Sequence, residues 1–206
     1  MSYAPALGAA VLCSSLAVPV VNAEDAPAPE MRTVLCAAAS MWRNEARVKQ
    51  VFGEQNVTTG AVEGWDGVLA TIIYANDPRQ KLALLWEDEA RRAKLKAAIV
   101  MADPSARWTT PVMWQSEGLV DGVKVGDTIA QLETLNAKPF LINGLGAEGG
   151  WSLSWNGGNL GNGCKLSVLL LPEDPNAVFP TGSELSSNSP EVIAVQPRVA
   201  QFTVRF

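Results

Sequence analysis

The chain has 206 residues, 48% hydrophobic and 18% charged, with a formal net charge of −5 and no histidine. That length and aliphatic content allow a sizeable core in one domain or two small ones and exclude intrinsic disorder. The missing histidine excludes Ser-His and Cys-His nucleophile pairs, histidine-containing zinc sites and imidazole acid–base chemistry within the chain, and a pI near 4.8 argues against nucleic-acid binding.

From Pro5 to Val21 the sequence is almost continuously apolar or small. It ends at Val21-Asn22-Ala23, with short residues at the −3 and −1 positions that signal peptidase reads. A cleaved signal peptide over residues 1–23 is expected, and with it a periplasmic or secreted protein. The first basic residue is Arg32, so the usual cationic n-region is missing. Cys13 follows Leu12, where a lipoprotein signal wants a small residue. Residues 24–33, opening Glu-Asp-Ala-Pro-Ala-Pro-Glu, read as an acidic extended tether. No later apolar run is long enough to span a bilayer.

Removal of Cys13 leaves Cys36 and Cys164. In an oxidising compartment this pair suggests one disulfide, closing a loop of about 128 residues and contributing roughly 4–5 kcal/mol by chain entropy. Two buried free thiols are the alternative.

Periodicity places a helix over 44–52, with Val48, Val51 and Phe52 on one face and Gly53 just past its end. Strands follow at Val57–Val62, Val68–Tyr74 and Leu82–Trp86, with a turn at Asn76-Asp77-Pro78. Glu87–Lys96 reads as a solvated helix with Glu87/Arg91 and Asp88/Arg92 at i,i+4, leading into a strand at Ala97–Met101. A second short helix spans 128–135, presenting Ile129, Leu132 and Leu135. Thr128 and Gln131 form a capping-box pattern there, and Pro139 prevents continuation. Strands follow again at Phe140–Ile142, Trp151–Trp155, Lys165–Leu171 and Arg198–Phe206. In the last, Val199, Gln201, Thr203 and Arg205 alternate with Ala200, Phe202, Val204 and Phe206. Glu173-Asp174-Pro175-Asn176 lacks the ligand spacing of a calcium loop and reads as a turn. The order helix, hairpin, third strand thus occurs twice. The fold class is α+β, with two degenerate helix-plus-antiparallel-sheet modules in tandem over 34–110 and 111–206.

The stretch Val123 to Phe140 contains Gly126, Thr128, Leu132, Leu135, Asn136, Lys138, Pro139 and Phe140. It resembles a motif of uncharacterised bacterial exported proteins: a Gly, a short capped helix ending Leu-Asn-Gly-Lys-Pro-Phe, then a Gly/Trp loop. Ala137 stands where that pattern has Gly. Phe52-Gly53, Asn56-Val57, Asn76-Asp77-Pro78, Trp86-Glu87-Asp88, Trp155-Asn156-Gly157-Gly158 and Gly163-Cys164 match as well. The likeness covers most of residues 44–206, though Leu145 to Gly150 departs from a more aromatic, Asp-containing loop. More distantly, the helix-then-hairpin module is similar to small outer-membrane-assembly lipoproteins and β-lactamase inhibitor proteins, both non-catalytic protein binders. That similarity concerns shape, which does not carry function with it.

Asn143–Gly163 is the densest chemical signal, holding eight of the seventeen glycines together with Trp151 and Trp155. A regular strand would place both Trp on one face. Two accounts fit: a backbone-rich binding loop with an aromatic platform, or a wide hairpin whose Trp residues cap the core. The candidate partner-binding residues are Asn143, Gly149, Gly150, Trp151, Trp155 and Asn156. No phosphate-loop Lys-Ser/Thr follows the glycines, and the sequence selects no catalytic pair of carboxylates among its 21 acids. The expectation is a non-enzymatic exported envelope protein that binds a protein partner, with no catalytic residue, metal site or cofactor. The alternatives are a carboxylate-based envelope hydrolase or carbohydrate-active protein, and a structural spacer.

Overall fold

The computed structural model describes residues 32–34, 36–62, 65–103, 105, 108–109, 111–116 and 122–206. The expected signal peptide and residues 24–31 of the tether lie outside the described residues. Arg32 and Thr33, the end of that tether, belong instead to strand β1 (Arg32–Val34), which pairs in parallel with β6 (Trp114–Ser116).

Helix α1 (Ala38–Met41) is a single turn. Helix α2 (Glu45–Phe52) starts where the Asn44 side chain accepts from the Arg47 N–H (2.9 Å), and stops at Gly53, whose φ of +86° suits glycine. Val48 is fully buried and Phe52 partly so, but Val51 is half exposed, because two short turns bury a narrower stripe than the periodicity implied. Next come β2 (Val57–Val62), β3 (Trp65–Ile73), β4 (Leu82–Asp88) and β5 (Ala93–Met101), an antiparallel meander.

The helix expected at Glu87–Lys96 does not form. Strand β4 runs on to Asp88 and a tight turn leads directly into β5. The charges that suggested i,i+4 pairs serve the turn and its neighbour. The Asp88 carboxylate accepts from the Arg91 N–H at 3.0 Å, while Arg92 reaches across to Glu45 at 3.0 Å. Helix propensity lost to sheet pairing, since Trp86 and Leu95 are worth more buried in the core.

Helix α3 (Ile129–Asn136) carries the full Thr128/Gln131 capping box and buries Ile129 and Leu132. It precedes β7 (Leu141–Leu145), β8 (Gly150–Ser154) and β9 (Lys165–Leu171), then β10 (Thr181–Ser186), helix α4 (Pro190–Ala194) and β11 (Arg198–Arg205). Sequence periodicity missed β1, β6, β10 and α4, which are short and weakly patterned. All but β1 and β6 join one antiparallel sheet in the order β10-β7-β8-β9-β11-β5-β4-β3-β2.

Buried residues of all four helices belong to one cluster with Ile73, Leu84, Val100, Ile142, Val168, Phe202 and Val204. The helices therefore share one face of the sheet. A smaller cluster, including Ala70, Ile72, Ala83, Leu85 and Ile99, lies on the opposite face. Strand β11 departs from simple alternation. A bulge between Val199 and Gln201 shifts its register, so that Val199 joins Phe202 and Val204 in the helix-side core. Gln201 and Thr203 are buried on the other side, the Gln201 amide donating to the Thr203 hydroxyl at 3.1 Å. Cys36 and Cys164 form the disulfide, with Cα atoms 5.3 Å apart, and tie the segment before α1 to the start of β9.

Ala137 ends α3 in the left-handed region (φ +63°), a conformation that crowds Cβ against the backbone. Ala137→Gly is expected to stabilise the protein by about 1 kcal/mol, raising the urea midpoint with an unchanged denaturant slope.

Candidate functional site

The Gly/Trp segment does not form one surface. Its parts divide between the helix-side core and the helix-free face of the sheet. Trp155 follows the end of β8 and packs on the helix-side core, its ring centroid 4.9 Å from that of Phe140. Its indole N–H donates to the Leu166 carbonyl at 2.9 Å. Trp151 pairs with Asn143 and Leu169, whose neighbours Ile142 and Val168 point into the helix-side core; directly opposed residues share a face, so Trp151 lies on the other one. The expectation that the two Trp share a face is overturned. A register shift between β7 and β8 at Leu141/Ile142 breaks the alternation, and Trp155 stands beyond the strand end.

Most glycines of the segment answer to packing. Asn136, fully buried at the end of α3, organises the loop after β8. Its side-chain amide donates to the carbonyls of Lys138 (2.9 Å) and Trp155 (3.0 Å), and its oxygen accepts from the Leu160 N–H (3.2 Å). A Cβ at Gly158 would lie 2.1 Å from that oxygen, so only glycine fits beside it. Gly149 and Gly150 are buried at the other end of β8. A Cβ there would come within 2.3 Å of the Leu170 carbonyl oxygen and 2.5 Å of the Phe179 ring respectively. Asn156 is exposed near Trp155, its amide donating to the Pro139 carbonyl and its own carbonyl accepting from the Lys138 ammonium at 3.0 Å. Of the six candidate residues, the structure brings Asn143 and Trp151 together on the open face. It places Gly149 and Gly150 inside, and Trp155 and Asn156 at the opposite end of the strand.

What Trp151 and Asn143 do share is a row. Pairing carries it across five strands: Asn143, Trp151, Leu169, Gln201 and Met101. Trp151 and Leu169 are half-buried there, while Leu153 is 53% and Leu145 40% exposed along the flanking strands. No helix among the described residues packs on this face. The sequence does not single out Leu145, Leu153 or Leu169, since Leu145 reads as part of a loop and the other two as ordinary strand filling. Only the one-sided placement of the helices leaves them uncovered.

The ionisable groups gather elsewhere, between α2 and the meander. Glu45 accepts from the Lys49 ammonium (2.8 Å), the Arg92 guanidinium (3.0 Å) and the Thr71 hydroxyl (2.9 Å). Buried Thr71 in turn accepts from the Trp86 indole N–H at 2.8 Å. Burial pushes the Glu45 carboxyl up, but the Lys49 and Thr71 hydrogen bonds and the two positive charges outweigh it, and the net shift is downward. Asp77 is also held down, chiefly by the Gln80 side-chain hydrogen bond within the Asn76-Asp77-Pro78 turn. Asp174 accepts from the Asn176 N–H (2.9 Å), as the turn reading required. Among the described residues no three His, Cys, Asp or Glu side chains gather where they could share a metal ion.

Two outcomes follow. Trp155→Ala is expected to cost about 3–5 kcal/mol in chemical denaturation, and Trp151→Ala about 1 kcal/mol or less. For Glu45, a folded-state carboxyl held below its ordinary 4.5 stabilises the fold above that value, and the contribution disappears as pH falls through the lowered one. Glu45→Gln should therefore be less stable than the parent at neutral pH, and the difference should shrink on acidification, as read by urea midpoints across pH 7 to 3. Comparison with known proteins found no family model, no curated protein and no solved structure that matches this chain.

Proposed function

We propose that this chain is an exported, non-enzymatic binding module that engages a protein partner through the helix-free face of its sheet, with Trp151 as anchor. The observation that carries this reading is the position of Trp151, half-buried in a row across the sheet and flanked by exposed Leu145 and Leu153. An indole rimmed by aliphatic side chains suits an apolar protein surface, whereas a sugar would call for more donors and acceptors around the ring. Export draws support from the apolar leader with its Val-Asn-Ala end and from the Cys36–Cys164 bridge, which persists in oxidising compartments. Glu45 and Asp77 are both pushed down, so neither of these two is poised as a general acid.

The same proposal includes the tandem reading. Helix α2 with β2, β3, β4 and β5, and helix α3 with β7, β8, β9 and β11, follow one order and meet at the β5–β11 pair, with β10 and α4 inserted before the last strand. This arrangement supports kinship in shape with small outer-membrane-assembly lipoproteins and β-lactamase inhibitor proteins, and it leaves the exported family with the Leu-Asn-x-Lys-Pro-Phe motif as the proposed relative.

The test is dependence on the face. Wild-type protein and the variants Trp151→Ala, Leu153→Asp and Ile193→Asp, the last at an exposed position of α4, would be crosslinked mildly in envelope extract, and the captured protein purified and titrated. Trp151→Ala and Leu153→Asp should each weaken binding about 30-fold or more with at most a few degrees' change in melting temperature, while Ile193→Asp binds normally. Capture that ignores the first two substitutions, or no capture at all, overturns the proposal.

A further inference from the structure

The sheet has two outer edges, and they differ. Strand β10 is bulged between Gly182 and Leu185, and Glu184, exposed and charged, sits at φ +63°. Bulges and charges are the devices by which proteins keep an edge from pairing with another chain. Strand β2 has neither over most of its length. Its sequence Val-Thr-Thr-Gly-Ala-Val has no charge and no proline, and it pairs with β3 in unbroken register from Val57 to Ala61.

The direction of its backbone groups follows from one bond. The Tyr74 N–H donates to the Asn56 carbonyl at 2.7 Å, so Asn56 faces β3, and by alternation Thr58 and Gly60 do as well. Val57, Thr59 and Ala61 turn the other way. The Val57 N–H is taken by the Glu54 carbonyl, which leaves the Val57 carbonyl and both backbone groups of Thr59 and Ala61 facing out. Thr58, Thr59 and Ala61 are exposed, and among the described residues no strand or helix pairs with this edge.

We propose that β2 is a dimerisation edge, on which a second copy of this chain adds its own β2 antiparallel about a two-fold axis through Thr59. In that register Thr59 exchanges N–H and C=O with its counterpart, and each Ala61 N–H reaches the Val57 carbonyl of the other copy. Every outward group named above except the Ala61 carbonyl then has a partner. The register opposes Thr59 to Thr59 and Ala61 to Val57, a β-branched pair and an uncharged apolar pair that sit well across strands. It sets no charge of β2 against a like charge, as the self-complementarity of a two-fold interface requires. A second observation favours a second copy over a lone extended peptide. On the helix side of the sheet, close to this edge, Leu69 is 55% exposed beside Ala61, and α2, packed along β2, leaves Val51 50% exposed. A lone peptide would satisfy the backbone and leave those side chains wet, whereas a second copy brings its own α2 and β3 to cover them. This edge is separate from the Trp151 face and does not depend on it.

The experiment is sedimentation equilibrium of the purified chain over a wide concentration range, beside Thr59→Lys and Thr59→Pro. Wild type should double its mass with concentration, and both variants should stay monomeric with unchanged far-ultraviolet dichroism. As a positive readout, Thr59→Cys in a Cys13→Ser background should oxidise to a covalent dimer, while Ser183→Cys on the β10 edge should not. A wild type that is monomeric throughout, or dimers that persist in folded Thr59→Lys, overturns the proposal. Should the Lys and Pro variants fail to fold, the cysteine pair decides: absence of a Thr59→Cys dimer, or equal crosslinking at Ser183→Cys, refutes it. Monomeric protein that instead binds an extended peptide on this edge likewise refutes the second copy as occupant.

Discussion

The antiparallel pairing of β5 with β11 is the contact on which the rest of the architecture depends. It joins Met101 to Gln201 and Ala97 to Arg205, at the centre of a nine-stranded sheet, and brings the end of the chain against a strand about a hundred residues earlier. Remove it and the two halves of the sheet lose their common surface. Phe202 and Val204, fully buried on the helix side, would each forfeit about 1.5–3 kcal/mol of burial. Gln201 and Thr203 of β11 are buried on the side away from the helices, where enclosed polar groups must satisfy each other. They do so.

Around that centre, α2 and α3, the two longest helices among the described residues, are each fastened by a different polar device. Helix α2 is held by Glu45, whose carboxylate gathers Lys49, Arg92 and Thr71 and, through Thr71, the Trp86 indole. Helix α3 is held at its end by Asn136, which pins the loop after β8, and along its length by Glu133, which accepts from the buried Ser187 hydroxyl. Ser187 in turn accepts from the Phe140 N–H at 3.0 Å. Buried polar groups satisfied in this way specify one arrangement of helix on sheet, since any shift would leave them unpaired in a poor solvent. The glycines at 149, 150 and 158 belong to the same economy of space, admitting a carbonyl, a Phe ring and an amide where a methyl would not fit.

The one-sided placement of the helices sorts the residues of the Gly/Trp segment. It packs partly buried Trp155 against the core and leaves Trp151, Leu145 and Leu153 on the opposite face. Two accounts of the Gly/Trp segment had competed, binding loop and core-capping hairpin. The fold divides them residue by residue: Trp155, Gly149 and Gly150 serve packing, and Trp151 with Asn143 stands half-buried on the helix-free face.

Much of the local structure was legible in the residues. Gly53 ended α2, Thr128 with Gln131 opened α3, the strand expected at Lys165–Leu171 matches β9 to the residue, and the even pair of cysteines allowed the bridge that forms. Caps, turns and alternating strands depend on neighbours within a few positions, so sequence alone determines them. The Glu87–Lys96 segment shows where that ends. Its charges fit a helix locally, yet sheet pairing of Trp86 and Leu95 overrode them. The bulges in β8 and β11, the order of nine strands and the face on which each Trp stands were decided by contacts between distant residues. Only the tertiary structure could choose those, because a one-residue shift of register exchanges the two faces of a strand without changing its sequence pattern.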